Sequence, residues 1–112
     1  MLARINAFID VNLADRDLSP SVVAAGCHIS VRTLHKLYEA EEDTVAASIR
    51  RRRLERCRQD LLDPRHPDRP VGAVGMRWGF PDPAAFSRAF RAAYRVPPGR
   101  YRWASLAGTS AL

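Results

Sequence analysis

Apolar positions recur at helical spacing along nearly the whole chain, and one arrangement of them occurs twice. Ile5, Phe8, Ile9 and Leu13 fall three and four residues apart, which predicts an amphipathic first helix over roughly residues 2 to 14, ending before Asp15-Arg16-Asp17. Ser19 stands immediately before Pro20, an arrangement in which a hydroxyl satisfies a free amide and proline loses no needed donor. The short helix behind it carries Val22, Val23, Ala24 and Ala25, small enough for a second helix to cross closely. Gly26 to His28 supplies a turn, at residue types that tolerate positive φ. Ser30 then caps a third helix with Leu34, Leu37 and Tyr38 on one face.

A long helix is predicted from about Thr44, its cap, to Leu62, with Ala46, Ile49, Leu54, Cys57 and Leu61 as its apolar positions. The proline- and charge-rich run from Asp63 to Pro70 reads as a surface loop and a boundary. Beyond it the first arrangement returns. Val71, Val74 and Met76 form a short helix in which Gly72 and Gly75 permit close approach, Arg77-Trp78-Gly79-Phe80 makes the turn, and Asp82-Pro83 repeats the cap-plus-proline device. The helix that follows stacks Phe86, Phe90 and Tyr94 on its buried face. A final turn from Pro97-Pro98 includes Tyr101 and is expected to cover this second motif, while Gly108 to Leu112 are expected to fray. The chain is therefore all-α, with a helix-turn-helix present twice, at about Leu18 to Tyr38 and Pro70 to Phe90.

Charge sharpens this picture. The 112 residues carry a formal charge of +6, and Lys36 is the only lysine among the 18 basic residues. Arginine pairs bidentately with phosphate or guanine. In the third helix Arg32, His35 and Lys36 point away from the apolar trio, near the N-terminal half where a recognition helix meets base edges. In the later helix Ala84, Ala85, Ser87, Arg88 and Arg91 lie off the aromatic stripe. Arg88 is the strongest groove contact there, because alanine offers only apolar contact to a thymine methyl. The run Arg50 to Arg53, with Arg56 and Arg58, winds charge around the long helix. Glu55 and Asp60 are expected to pair with Arg51 and Arg56 at i,i+4 spacing, so the run reads either as a phosphate strip or as a salt-bridged face.

Other chemistry finds little support. Cys27, Cys57, His28, His35 and His66 follow no metal spacing, so neither metal nor cofactor is expected. No window approaches the roughly 18 apolar residues of a membrane span, and the N-terminus lacks a signal-peptide core. A reducing cytoplasmic setting follows by default. Cys27, in a turn beside His28, is the one thiol open to activation, and no catalytic residue is assigned. The rival to DNA binding is a helical protein-interaction module, which holds if the arginines merely solvate the long helix.

The segment Ser30 to Tyr38, the run Arg53-Leu54-Glu55-Arg56, Trp78-Gly79-Phe80-Pro81-Asp82 leading into Phe86-Ser87-Arg88-Ala89-Phe90-Arg91, and Val96-Pro97-Pro98 together resemble the DNA-binding domain of the AraC/XylS family of bacterial transcription regulators. The match runs from about Ile5 to Arg102. The resemblance implies seven helices in two helix-turn-helix subdomains, about 2–43 and 70–103, joined by a linker helix at 44–62 and followed by a tail at 104–112. Both recognition helices would enter successive major-groove segments of double-stranded DNA. Base contacts would fall to Arg32, His35 and Lys36 in the first and to Pro83, Ala84, Ala85, Ser87 and Arg88 in the second, with Ser30, Arg91 and the helix N-termini on phosphates. It further implies a nucleoid-associated regulator, read as an activator, with RNA polymerase as a candidate partner. With no room in 112 residues for a separate effector domain, the chain is expected to be either a short stand-alone regulator, which its Met1 suits, or the reader half of a larger design. Four positions depart from the family pattern: Glu42 and Arg95 replace glycines, Gly75 replaces an alanine and Ser48 an aromatic. A left-handed backbone at Glu42 or Arg95 would cost about 1 kcal/mol each, and Gly75 would weaken its helix by a similar amount.

Overall fold

Helical spacing becomes seven helices in the computed structural model, which describes residues 1–106: α1 (Leu2–Val11), α2 (Pro20–Gly26), α3 (Val31–Tyr38), α4 (Val45–Leu61), α5 (Val71–Arg77), α6 (Pro83–Tyr94) and α7 (Pro98–Leu106). Gly108 to Leu112, expected to fray, lie outside the described residues. Two compact units divide the chain, one from Met1 to Arg53 and one from Leu54 onward, so the boundary falls inside α4.

The first unit buries Ile5, Ile9, Leu13, Val23, Leu34, Val45 and Ile49. α1 stops earlier than its apolar spacing suggests. The Asn12 amide donates back to the Phe8 carbonyl at 2.8 Å and its backbone N–H to Phe8 and Ile9, so the chain turns while Leu13 still reaches the core. Ser19 and Ser30 cap α2 and α3 as expected, their Oγ atoms accepting from the Val22 and Thr33 amides at 3.3 and 3.0 Å. The left-handed residue of the α2–α3 turn is His28, at φ 60°. Gly26 serves a different purpose, since a Cβ there would stand 2.2 Å from Cζ of Phe8.

Along α4 the Thr44 hydroxyl accepts from the Ala47 amide at 3.1 Å, confirming the cap. The buried stripe begins at Val45, Ser48 and Ile49, whereas Ala46 is exposed, so the sequence phase was one residue out at this end. Ser48 stays satisfied because its hydroxyl accepts from Arg52 Nε at 3.1 Å.

The second unit is built on aromatic rings. Leu54, Cys57, Leu61, Val74, Phe80, Phe86, Ala89 and Phe90 form its core, with Trp78, Tyr94 and Tyr101 packed against it. Phe90 lies 5.8 Å from Phe86, 4.6 Å from Tyr94 and 5.5 Å from Tyr101, all within the range of favourable ring pairing. Met76, assigned to the α5 apolar set, is instead 52 % exposed. The final segment is a helix, α7, rather than a turn, and its Arg102 reaches inward to donate to the carbonyls of Leu61 and Arg69. Of the two positions where a missing glycine raised the prospect of strain, only Arg95 is left-handed, at φ 70°; Glu42 is not. That backbone costs an arginine on the order of 1 kcal/mol or more.

Candidate nucleic-acid interface

Each recognition helix stands where local chemistry and one close approach put it. In the first unit α2 leads through His28 into α3, and the Ile29 amide donates to the Ala24 carbonyl at 3.0 Å, closing the turn. Leu34 and Tyr38 hold α3 on the core, and the Tyr38 hydroxyl donates to Asn6 Oδ1 at 3.1 Å, tying α3 to α1. With that face fixed, Arg32, His35 and Lys36, three and four residues apart, emerge together on the exposed side. Among the described residues none of the three pairs with a carboxylate. Ser30 is exposed, and its hydroxyl is already engaged with the Thr33 amide and, at 2.9 Å, the Thr33 hydroxyl.

The second unit repeats the construction with different parts. Gly79, at φ 96°, turns the chain after α5, and the Phe80 amide donates to the Gly75 carbonyl at 3.1 Å. Asp82 Oδ1 then accepts from the Ala85 amide at 2.8 Å to start α6. Gly72 lies beside Pro83, where an added Cβ would stand 3.2 Å from its Cγ, so the first turns of α5 and α6 adjoin. Pro83, Ala84, Arg88 and Arg91 are exposed, while Ala85 and Ser87 are half-buried. Arg88 and Arg91 have no carboxylate partner among the described residues.

The arginine run of α4 is occupied differently from the local pairing expected for it. Arg51 pairs with Asp43 at 2.7 Å instead of Glu55, and Arg52 with Asp10 at 3.0 Å. Arg53 donates to the carbonyls of Leu13 at 3.0 Å and Asp15 at 2.6 Å. Glu55 is gripped by Arg58 at 2.5 and 2.9 Å and accepts from the Tyr94 hydroxyl at 3.1 Å. The Arg58 guanidinium draws its carboxyl from the ordinary 4.5 down to about 2, against a smaller opposing effect of burial. Burial, then the Glu55 hydrogen bond, pushes the Tyr94 hydroxyl up to about 12. Asp60, expected to pair with Arg56, instead accepts from Trp78 Nε1 at 2.7 Å and lies 3.4 Å from Arg77 and 3.7 Å from Arg69. Arg56 is left over the Trp78 ring, 5.5 Å from its centroid. The Asp60–Trp78 bond fixes the α5–α6 turn, yet nothing in the spacing of the two residues announces it. Cys27 and Cys57 are both buried, so Cys27 is not the accessible thiol that its turn position suggested.

A helix-turn-helix domain model matches residues 23–104. The chain belongs to the AraC/XylS family. The chain is 41 % identical over 101 residues to the transcriptional activator NphR of a Rhodococcus species, covering 90 % of this chain but 29 % of NphR. It thus spans less than a third of the length of that curated relative. Among solved structures, the DNA-binding domain of AdpA in complex with a target DNA superposes with a TM-score of 0.81 at 26 % identity, over 95 % of this chain and 93 % of that one. An AraC-type regulator from Chromobacterium violaceum gives 0.82 at 22 % identity, over 92 % and 89 %, which speaks to the fold alone. The AraC/XylS family comprises DNA-binding regulators and is not an enzyme family. Among the described residues no helix is long and apolar enough to cross a membrane.

Proposed function

We propose that this chain binds double-stranded DNA in a sequence-specific way and regulates transcription. The observation that carries this reading is the twice-built reader: in each unit, large apolar anchors turn a recognition helix so that cations without carboxylate partners stand on its outer face. Arg32, His35 and Lys36 on α3, and Pro83, Ala84, Ala85, Ser87 and Arg88 on α6, are the base-facing positions. Arg88 supplies the hydrogen-bonded readout on α6, and Pro83, Ala84 and Ala85 offer apolar surface to thymine methyl groups. Ser30, through its backbone and cap, and Arg91 serve phosphates. The domain divides into readers at 2–43 and 70–103 with the linker at 44–62, and the two recognition helices enter successive major-groove segments of one site.

Regulation is read as activation, in keeping with the activator NphR, through contact with RNA polymerase at the nucleoid of the cytoplasm. A gel-shift titration against DNA over a range of salt tests the core of this proposal. Affinity should fall steeply as salt rises, because each phosphate contact releases counterions. Absence of salt-dependent binding would leave the protein-interaction module as the better reading.

A further inference from the structure

On α6 the exposed cations do not end at Arg91. Arg95 follows at the C-terminal cap, four residues beyond Arg91 and seven beyond Arg88, and its backbone N–H donates to the Arg91 carbonyl at 2.8 Å, so its Cα keeps helical register. Positions 88, 91 and 95 share the face opposite Phe86 and Phe90. All three are exposed, and among the described residues none is held by a carboxylate. Arg95 alone sits at φ 70°. Glycine takes this conformation without strain, and asparagine, aspartate and histidine tolerate it better than other side chains do; arginine has no such dispensation. The other left-handed non-glycine residue, His28, belongs to one of the tolerant types.

We propose that Arg95 is a further DNA-phosphate contact, extending the Arg88–Arg91 face of α6 onto the backbone that borders the groove. This rests on the reading of α6 as a recognition helix. The dimensions fit. Twelve residues make α6 about 18 Å long, more than the roughly 12 Å width of a major groove. With the N-terminal half in the groove, Arg95 lies about 10 Å along the axis from Arg88, at the end of a helix that general docking geometry places over flanking phosphates. Strain held at an exposed position that packs no core is accounted for by a side chain selected for what it touches outside the protein.

The competing explanation is a cation complementing the carbonyl end of the helix dipole. Arg95→Gly and Arg95→Lys separate the two. Binding of the wild-type chain and both variants to a random-sequence 30-base-pair duplex is measured over a range of salt, alongside thermal melting. Arg95→Gly should melt at or above the wild-type temperature, bind roughly threefold to tenfold more weakly, and lose about one unit of salt-dependence slope, while Arg95→Lys keeps the wild-type slope. The slope decides. An unchanged slope in Arg95→Gly overturns the proposal, and a lowered melting temperature beside it assigns the arginine to the dipole. If the wild-type chain itself fails to bind the duplex, the DNA reading falls and this inference with it.

Discussion

Gly75 lies directly beneath Phe86: a Cβ added to the glycine would stand 2.4 Å from Cγ and 2.7 Å from Cβ of the phenylalanine. Those atoms are the rigid root of a side chain that is 1 % exposed, so the ring cannot swing aside. The glycine that seemed to weaken α5 is what lets α5 and α6 meet. Gly75→Ala should therefore lower the melting temperature, an overpacking cost of about 1 to 3 kcal/mol exceeding the gain of up to about 1 kcal/mol in helix propensity. Gly26→Ala meets the far end of the half-buried Phe8 ring and should cost less; equal losses would show that Phe86 yields as easily as Phe8.

Truncating the anchors should cost more than trimming the readers. Leu34→Ala or Phe86→Ala should destabilise its own unit by about 2 to 5 kcal/mol, and DNA binding should fail through loss of the fold. Circular dichroism alongside binding checks this, and a Phe86→Ala variant that stays folded and binds as the wild type does would show that the ring does not anchor α6.

Reader substitutions should leave folding intact. Arg32→Ala and Arg88→Ala should each weaken binding to a selected site by about 1 to 3 kcal/mol and relax preference at one base. Affinity measured on single-base variants of that site is the check. Uniform weakening on every variant would reassign these arginines to phosphate.

Acid should loosen the second unit through Glu55. Its folded carboxyl titrates at about 2 instead of the ordinary 4.5, so its contribution to stability is complete above about 4.5 and is lost as pH falls toward 2. Because Glu55 is partly solvated, the effect is discounted for screening and is expected to be modest. Melting followed from pH 5 to 2 should fall less in Glu55→Gln than in the wild type. Part of the acid dependence should persist in the variant, since Arg65 holds Asp63 at about 2 as well. Identical pH profiles would remove Glu55 from the account.

Local chemistry was legible in the sequence. Ser19, Ser30, Thr44 and Asp82 announce their helices because a cap joins atoms three residues apart, and Leu34, Phe86 and Phe90 announce their faces through spacing. The partners of the arginines were hidden. Arg52 meets Asp10 across 42 residues and Asp60 meets Trp78 across 18, distances at which i,i+4 rules hold no information. The close approach at Gly26 was hidden for the same reason, and the one at Gly75 was legible only as an approach, since a glycine does not say which ring lies over it. At the readers, the sequence separated Arg32, His35, Lys36 and Arg88 from the core faces, and it named Arg95 only as a missing glycine.

The burial of Cys27 in one unit and Cys57 in the other gives the molecule a reporter of opening for each half. Neither cysteine is in a disulfide and both are at most 2 % exposed, so a small alkylating reagent reaches either one only when its surroundings come apart. Mass-resolved labelling of the native chain, with and without DNA, would time the breathing of the two halves separately, with no engineered probe.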